Sequence, residues 1–296
     1  MGALPTLRRT RVRLRSLSPV GAEVWVSADV ADATPGAAGA VRGRVMGPRC
    51  RYARTVEVAY PLRPLPPAVA LALGLTARIV IPEPSLWDTA SPHLYAGPVT
   101  YVENDQTLDQ TTVRFGLRDV RLTARGLLWN GKPIDLRGAP LPAPANGQSR
   151  EAQFTALRDR GVNLLVVPAD AGERAVWDLA DEIGLLVLYR LTDAPFARDL
   201  ALGFDQHPSA LGCLVPQALA GEAWVGEIVA AWRGAGLTLV MGAELDRPTA
   251  AELPGHFQFV AGPADVLTQS GGTALPWLAL GDAAADGDTI GTVAPE

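Results

Sequence analysis

The sequence predicts a multidomain β plus α/β chain. An immunoglobulin-like β-sandwich is expected over residues 1–120, followed by a compressed barrel of TIM type, complete or incomplete, over residues 121–296. Three observations carry this reading. Apolar residues alternate with period two in the first third of the chain. An Asn130-Gly131 turn signal and the prolines Pro140, Pro142 and Pro144 interrupt that pattern. From Ser149 onward helical stripes alternate with short continuous apolar runs.

The sandwich reading rests on seven strand-like runs, at 10–17, 22–30, 40–47, 54–62, 72–82, 94–102 and 111–120, separated by Gly, Pro and Asp clusters. Val24, Val26 and Ala28 alternate with Glu23, Trp25 and Ser27, and Val56 and Val58 alternate with Glu57. Such alternation buries one face of a strand and wets the other. Seven short strands in about 110 residues suit an immunoglobulin-like sandwich. Residues 33–40, ATPGAAGA, read as a loop between strands.

Asn130-Gly131 lies between apolar segments and predicts a hairpin, because a type I′ turn needs positive φ at both central positions. The prolines that follow cannot be helical. Ser149 is placed to cap a helix bearing Phe154 and Leu157 that ends near Gly161. Ala175, Val176, Leu179, Ala180 and Ile183 form a stripe closed by Gly184, and Trp224, Val225, Ile228, Val229 and Trp232 form another closed by Gly234. Parallel strands are expected at 133–138, 163–169, 185–191, 210–218, 237–245, 257–262 and 276–282, with residues 288–293 as a candidate eighth. This is a barrel pattern in roughly 160 residues, where about 250 is typical, so several crossovers must be short.

Composition narrows the functional classes. Net charge is −5 and the only lysine is Lys132, so no basic footprint for nucleic acid is present. No apolar run suits a membrane span or a signal-peptide core, which makes a cytoplasmic location the default expectation. Cys50 and Cys213 fall in different predicted domains and are expected to be free thiols. His93, His207 and His256 are too dispersed for a zinc site, and no glycine-rich phosphate loop follows a strand, so no metal and no cofactor are expected.

The segments PSLWDTASPHLY (84–95), FGLRDV (115–120), NGKPIDLRG (130–138), DLADEIGLLV (178–187) and His207-Pro208-Ser209 together resemble glycoside hydrolase family 2, the β-galactosidase, β-glucuronidase and β-mannosidase group. The resemblance implies a sandwich that hands over to a catalytic barrel, a carbohydrate partner, and two glutamates, an acid/base after the fourth strand and a nucleophile after the seventh. It also implies an N-terminal sugar-binding jelly roll, for which the chain shows no counterpart, so a truncated and degenerate member is expected.

A retaining glycosidase needs two carboxyl groups about 5 Å apart, one protonated and one ionised. Carried over in register from His207-Pro208-Ser209, the family's Asn falls on Gln217 and its acid/base on Ala218, which has no proton to give. The family's Arg in the second strand falls on Val166, the His beyond it on Ala169, and the Glu ending the third strand on Arg190. The polar cluster after the first strand is replaced by Ala139, Pro140, Leu141 and Pro142. Asp282 stands near the nucleophile position. Glu222 and Glu244 are the other candidate catalytic carboxylates, with Asp265 near the same rim. His207 precedes its strand and is expected at the opposite end, in a structural role, while Asp181 and Glu182 are expected to be solvated or to cap locally.

Three readings follow. The leading one is a scaffold without glycosidase catalysis that binds a carbohydrate or a protein. The second is an active hydrolase with relocated carboxylates, Asp282 with Glu222 or Glu244. The third is a structural or assembly module that uses Trp224 and Trp232 as a partner surface.

Overall fold

The computed structural model describes residues 5–33, 38–65, 69, 74–123, 126–144, 147–168, 174–191, 206–234, 238–248, 253–269, 277–279 and 293–294. The chain divides into two compact units, Met1–Trp87 with Ser91–Leu117, and Asp88–Ala90 with Arg118–Glu296.

The first unit contains β1 (Thr6–Ser18), β2 (Gly21–Ala31), β3 (Gly39–Arg49), β4 (Val58–Pro61), β5 (Arg63–Pro64), β6 (Thr76–Pro82), β7 (Leu94–Glu103) and β8 (Gln106–Phe115). They form two antiparallel sheets, ordered β1-β2-β6-β5 and β4-β3-β7-β8. One core joins them: Val24, Val26, Ile79 and Ile81 from the first sheet pack with Val45, Tyr95, Val99 and Phe115 from the second. Val24 and Val26 are fully buried while Trp25 between them is half-buried, as period-two alternation requires. Alternation misleads at Val56 and Val58. Val56 is 84% exposed and precedes β4, which starts only at Val58. The run 111–120 is also two elements, since β8 ends at Phe115 and Val120 opens the next strand.

The second unit begins with a small antiparallel sheet of β9 (Val120–Thr123), β10 (Gly126–Trp129) and β11 (Lys132–Pro133). Asn130 and Gly131 have φ of 52° and 77°, the left-handed pair that a tight hairpin demands. The Asn130 side-chain oxygen accepts from the Asp119 N–H at 2.9 Å and locks the turn.

The main sheet then runs in sequence order through β12 (Gly138–Pro140), β13 (Leu164–Pro168), β14 (Leu186–Arg190), β15 (Ala210–Pro216), β16 (Val240–Glu244), β17 (Phe259–Gly262) and β18 (Trp277–Ala279), all parallel. This curled parallel sheet is consistent with part of a TIM-like barrel. The candidate eighth strand departs from a barrel: β19 (Val293–Ala294) pairs antiparallel with β18.

Helices α1 (Arg150–Asp159), α2 (Arg174–Ile183), α3 (Ala223–Gly234) and α4 (Ala264–Gln269) lie between the strands. Ser149 caps α1 by accepting from the Ala152 N–H, and Gly184 ends α2 at φ 82°. Val167, Val187, Tyr189, Cys213, Val215, Met241 and Ala243 pack with Phe154, Trp177, Ile183, Ile228 and Trp232 in one core. The opposite strand parity, Leu164, Val166, Leu186, Leu188 and Leu214, is also buried, so the sheet is apolar on both faces. Trp232 is buried and Trp224 packs partly buried against the core, which leaves neither as a broad exposed surface.

Candidate functional site: the strand-end rim

In an α/β barrel, chemistry sits where strands end and loops begin. Here β14 ends at Arg190, β15 at Pro216 and β16 at Glu244. Register pairs Arg190 with Leu214, and Pro216 with Glu244. Arg190 shares the parity of Leu186 and Leu188, and Glu244 that of Val240 and Gly242, so both belong to the face away from the helices.

Across β15, Arg190 Nη2 donates to Glu244 Oε1 at 2.5 Å. The Arg190 side chain is 43% exposed and that of Glu244 17%. Arg190 Nε is buried with no acceptor. The rim thus holds, at the ends of β14 and β16, a cation bound to an anion rather than a pair of free acids. On the same parity, Gly242 is covered by Phe259, since a Cβ at Gly242 would come within 2.3 Å of the Phe259 ring.

After β15, Gln217–Leu219 forms one 3₁₀ turn, so Ala218 directly follows the strand end, with no acid. Gln217 is also occupied: its Oε1 accepts from the N–H groups of Asp246 at 3.2 Å and Arg247 at 3.3 Å, which ties it to the loop after β16. Glu222 is exposed just ahead of α3, and its carbonyl accepts from the Val225 N–H. Asp265 is exposed in the first turn of α4. Asp282 and Ala169 lie outside the described residues. Of the three candidate carboxylates, only Glu244 is at a described strand end, and it is engaged by Arg190.

The opposite end of the sheet corrects the reading of Asp181. Asp181 is not solvated; it is 1% exposed. Its carboxylate meets His207 Nδ1 at 2.7 Å and accepts from the Ser209 N–H at 3.0 Å. Arg118 lies in the same region: it donates to the Ala210 carbonyl and sits over the Trp129 ring at 5.3 Å. Burial pulls the Arg118 guanidinium down to about 10, opposed by the charge of Asp181. Trp177 stacks on Tyr189 and His207, and its N–H donates to the Tyr189 hydroxyl at 3.1 Å. Burial pushes that hydroxyl up to about 12, so it stays protonated. Asp178, Asp181 and His207 offer atoms within 4.8 Å of one another. The Asp181 oxygens already accept from His207 and Ser209, so the donor set fits a hydrogen-bonded brace better than a metal site.

Sequence reasoning missed the Arg190–Glu244 pair and the Arg118–Asp181–His207 brace. Strand parity was a signal for the first, since both residues end their strands on the same face. Nothing local signals the second, whose members lie far apart in the chain.

Residues 54–118 match the family model of Glycosyl hydrolases family 2. Beta-galactosidase BoGH2A of Bacteroides ovatus is 26% identical over 121 residues, 38% of this chain and 14% of that protein. A glycosyl hydrolase family 2 member from Bacteroides cellulosilyticus superposes with a TM-score of 0.65 at 16% identity, over 88% of this chain and 38% of that one. The beta-glucuronidase of Parabacteroides merdae gives 0.62 at 19% identity, over 88% and 35%. The chain therefore spans well under half the length of the proteins it resembles.

Proposed function

We propose that this chain, a relative of glycosyl hydrolases family 2, keeps that family's framework without glycosidase turnover and acts by binding carbohydrate. The observation that carries the proposal is the Arg190–Glu244 ion pair at the rim, next to a β15 end that reads Pro216-Gln217-Ala218. General acid help contributes a factor of about 10² to 10⁴ to such a reaction, and alanine supplies none. Under the same reading, residues 1–120 form an immunoglobulin-like sandwich domain, supported by two antiparallel sheets around one core. Residues 121–296 form the barrel-derived domain.

The test is hydrolysis of aryl β-glycosides of galactose, glucuronic acid and mannose by the purified chain. The proposal expects no turnover, with saturable sugar binding in calorimetry. Turnover abolished by Asp282→Asn, Glu222→Gln or Glu244→Gln would establish relocated carboxylates instead.

A further inference from the structure

The outer face of the β1-β2-β6-β5 sheet carries a row of cations that its own residues leave unneutralised. Arg13 stands opposite Trp25, Trp25 opposite Arg78, and Arg78 opposite Arg63, so the row crosses all four strands. The neighbours Val12, Val24, Val26, Ala77 and Ile79 are buried, which turns the row away from the core. Arg15 adds another guanidinium, 4.4 Å from the Trp25 ring centroid.

Of the adjacent carboxylates, one is neutralised by a cation outside the row, and the other is held at the indole without pairing to any arginine of the row. Asp29 pairs with Arg11 at 3.2 Å, and Glu23 accepts from the Trp25 N–H at 2.6 Å. Among the described residues no carboxylate pairs with Arg13, Arg15, Arg63 or Arg78. The Nε atoms of Arg13 and Arg78 are buried with no acceptor. Like charges directly opposite each other destabilise a sheet, and Arg63 and Arg78 are such a pair. An arriving anion removes that repulsion.

We propose that this face binds a linear acidic glycan, with its carboxylate or sulfate groups on Arg13, Arg78 and Arg63 and a sugar ring against Trp25. The row spans three inter-strand spacings, about 14 Å, on an open sheet, which suits a polymer better than a single small ion. Guanidinium forks match carboxylate and sulfate oxygens. The cation–indole–cation order fits a chain that alternates charge with the apolar face of a sugar ring. Arg15, which is exposed, swings off the indole to admit that ring. The preference for a glycan over an acidic peptide rests on the carbohydrate-binding reading above; the cationic row itself does not.

Calorimetry with polygalacturonate, heparin, polyglutamate and dextran tests the proposal on the wild-type chain, Arg13→Gln/Arg78→Gln and Arg63→Gln, with melting curves as the fold control. An acidic glycan is expected to bind and to weaken with salt. The double variant should lose at least about tenfold in affinity and Arg63→Gln about threefold. Dextran should not bind, and polyglutamate should bind at least about tenfold more weakly than the glycan. Polyglutamate binding of equal strength would make this an acidic-protein surface and overturn the proposal. Glycan binding indifferent to all three arginines, or no binding by either acidic glycan, would also overturn it. Arg63 is exposed, so its variant keeps the test decisive if the double variant melts early. Hydrolysis is read in a separate assay, so a failure of the rim reading is distinguishable from a failure here.

Discussion

The two ends of the parallel sheet carry opposite chemistry. At the N-terminal end of β15, Asp181 binds His207 and the Ser209 N–H in a buried brace, with Arg118 close by. At the C-terminal end, Arg190 and Glu244 neutralise each other beside Pro216 and Ala218. The first end joins α2 to the segment that leads into β15; the second is where loops of such folds supply reactivity. The motifs that resemble family 2, DLADEIGLLV and His207-Pro208-Ser209, belong to the first end. A resemblance carried by bracing residues therefore reports shared architecture and is silent on catalysis.

Stability measurements sharpen this contrast. Asp181→Ala leaves His207 and the Ser209 N–H without an acceptor and Arg118 without its counter-charge, and is expected to cost about 3–5 kcal/mol in urea unfolding. A loss under 1 kcal/mol would show that the brace is dispensable. Trp177→Phe keeps a ring over Tyr189 but removes the N–H donor, at about 1–2 kcal/mol. At the rim, Arg190→Gln and Glu244→Gln should each cost about 1 kcal/mol or less, with a comparable coupling in a double-mutant cycle, because the pair is partly solvated. Rim losses as large as that of Asp181→Ala would erase the contrast.

The smallest effect is a pH slope from His256, which precedes β17. Burial first, then the charge of Arg233, pulls its imidazole below the usual 6.5. The folded state therefore binds fewer protons than the unfolded chain as this group titrates. Its contribution is complete above pH 6.5 and is lost as pH falls through the lowered value. His256→Gln should flatten stability below pH 6.5; an unchanged slope there would remove His256 as its source.

Much of the fold was legible because its signals are local. Asn130-Gly131 states its own turn, Ser149 and Gly184 mark helix ends, and runs such as Leu164–Pro168 are apolar and too short for a helix, which favours a buried strand. Val56 misled because alternation identifies a strand face without showing that anything packs against it. At the site, the absence of an acid at Ala218 was legible only through the family resemblance, carried in register from His207-Pro208-Ser209. The engagement of Glu244 was not legible, because its partner Arg190 is 54 positions away and meets it only through strand register. The row of Arg13, Trp25, Arg78 and Arg63 was hidden for the same reason.

The most direct test of the rim is intact-mass analysis after incubation with 2-deoxy-2-fluoro glycosyl fluorides of galactose, glucuronic acid and mannose. These reagents trap a carboxylate nucleophile and need no acid to expel fluoride. The account predicts an unmodified chain with all three sugars. A single sugar adduct on a peptide containing Glu222, Glu244 or Asp282 would contradict it.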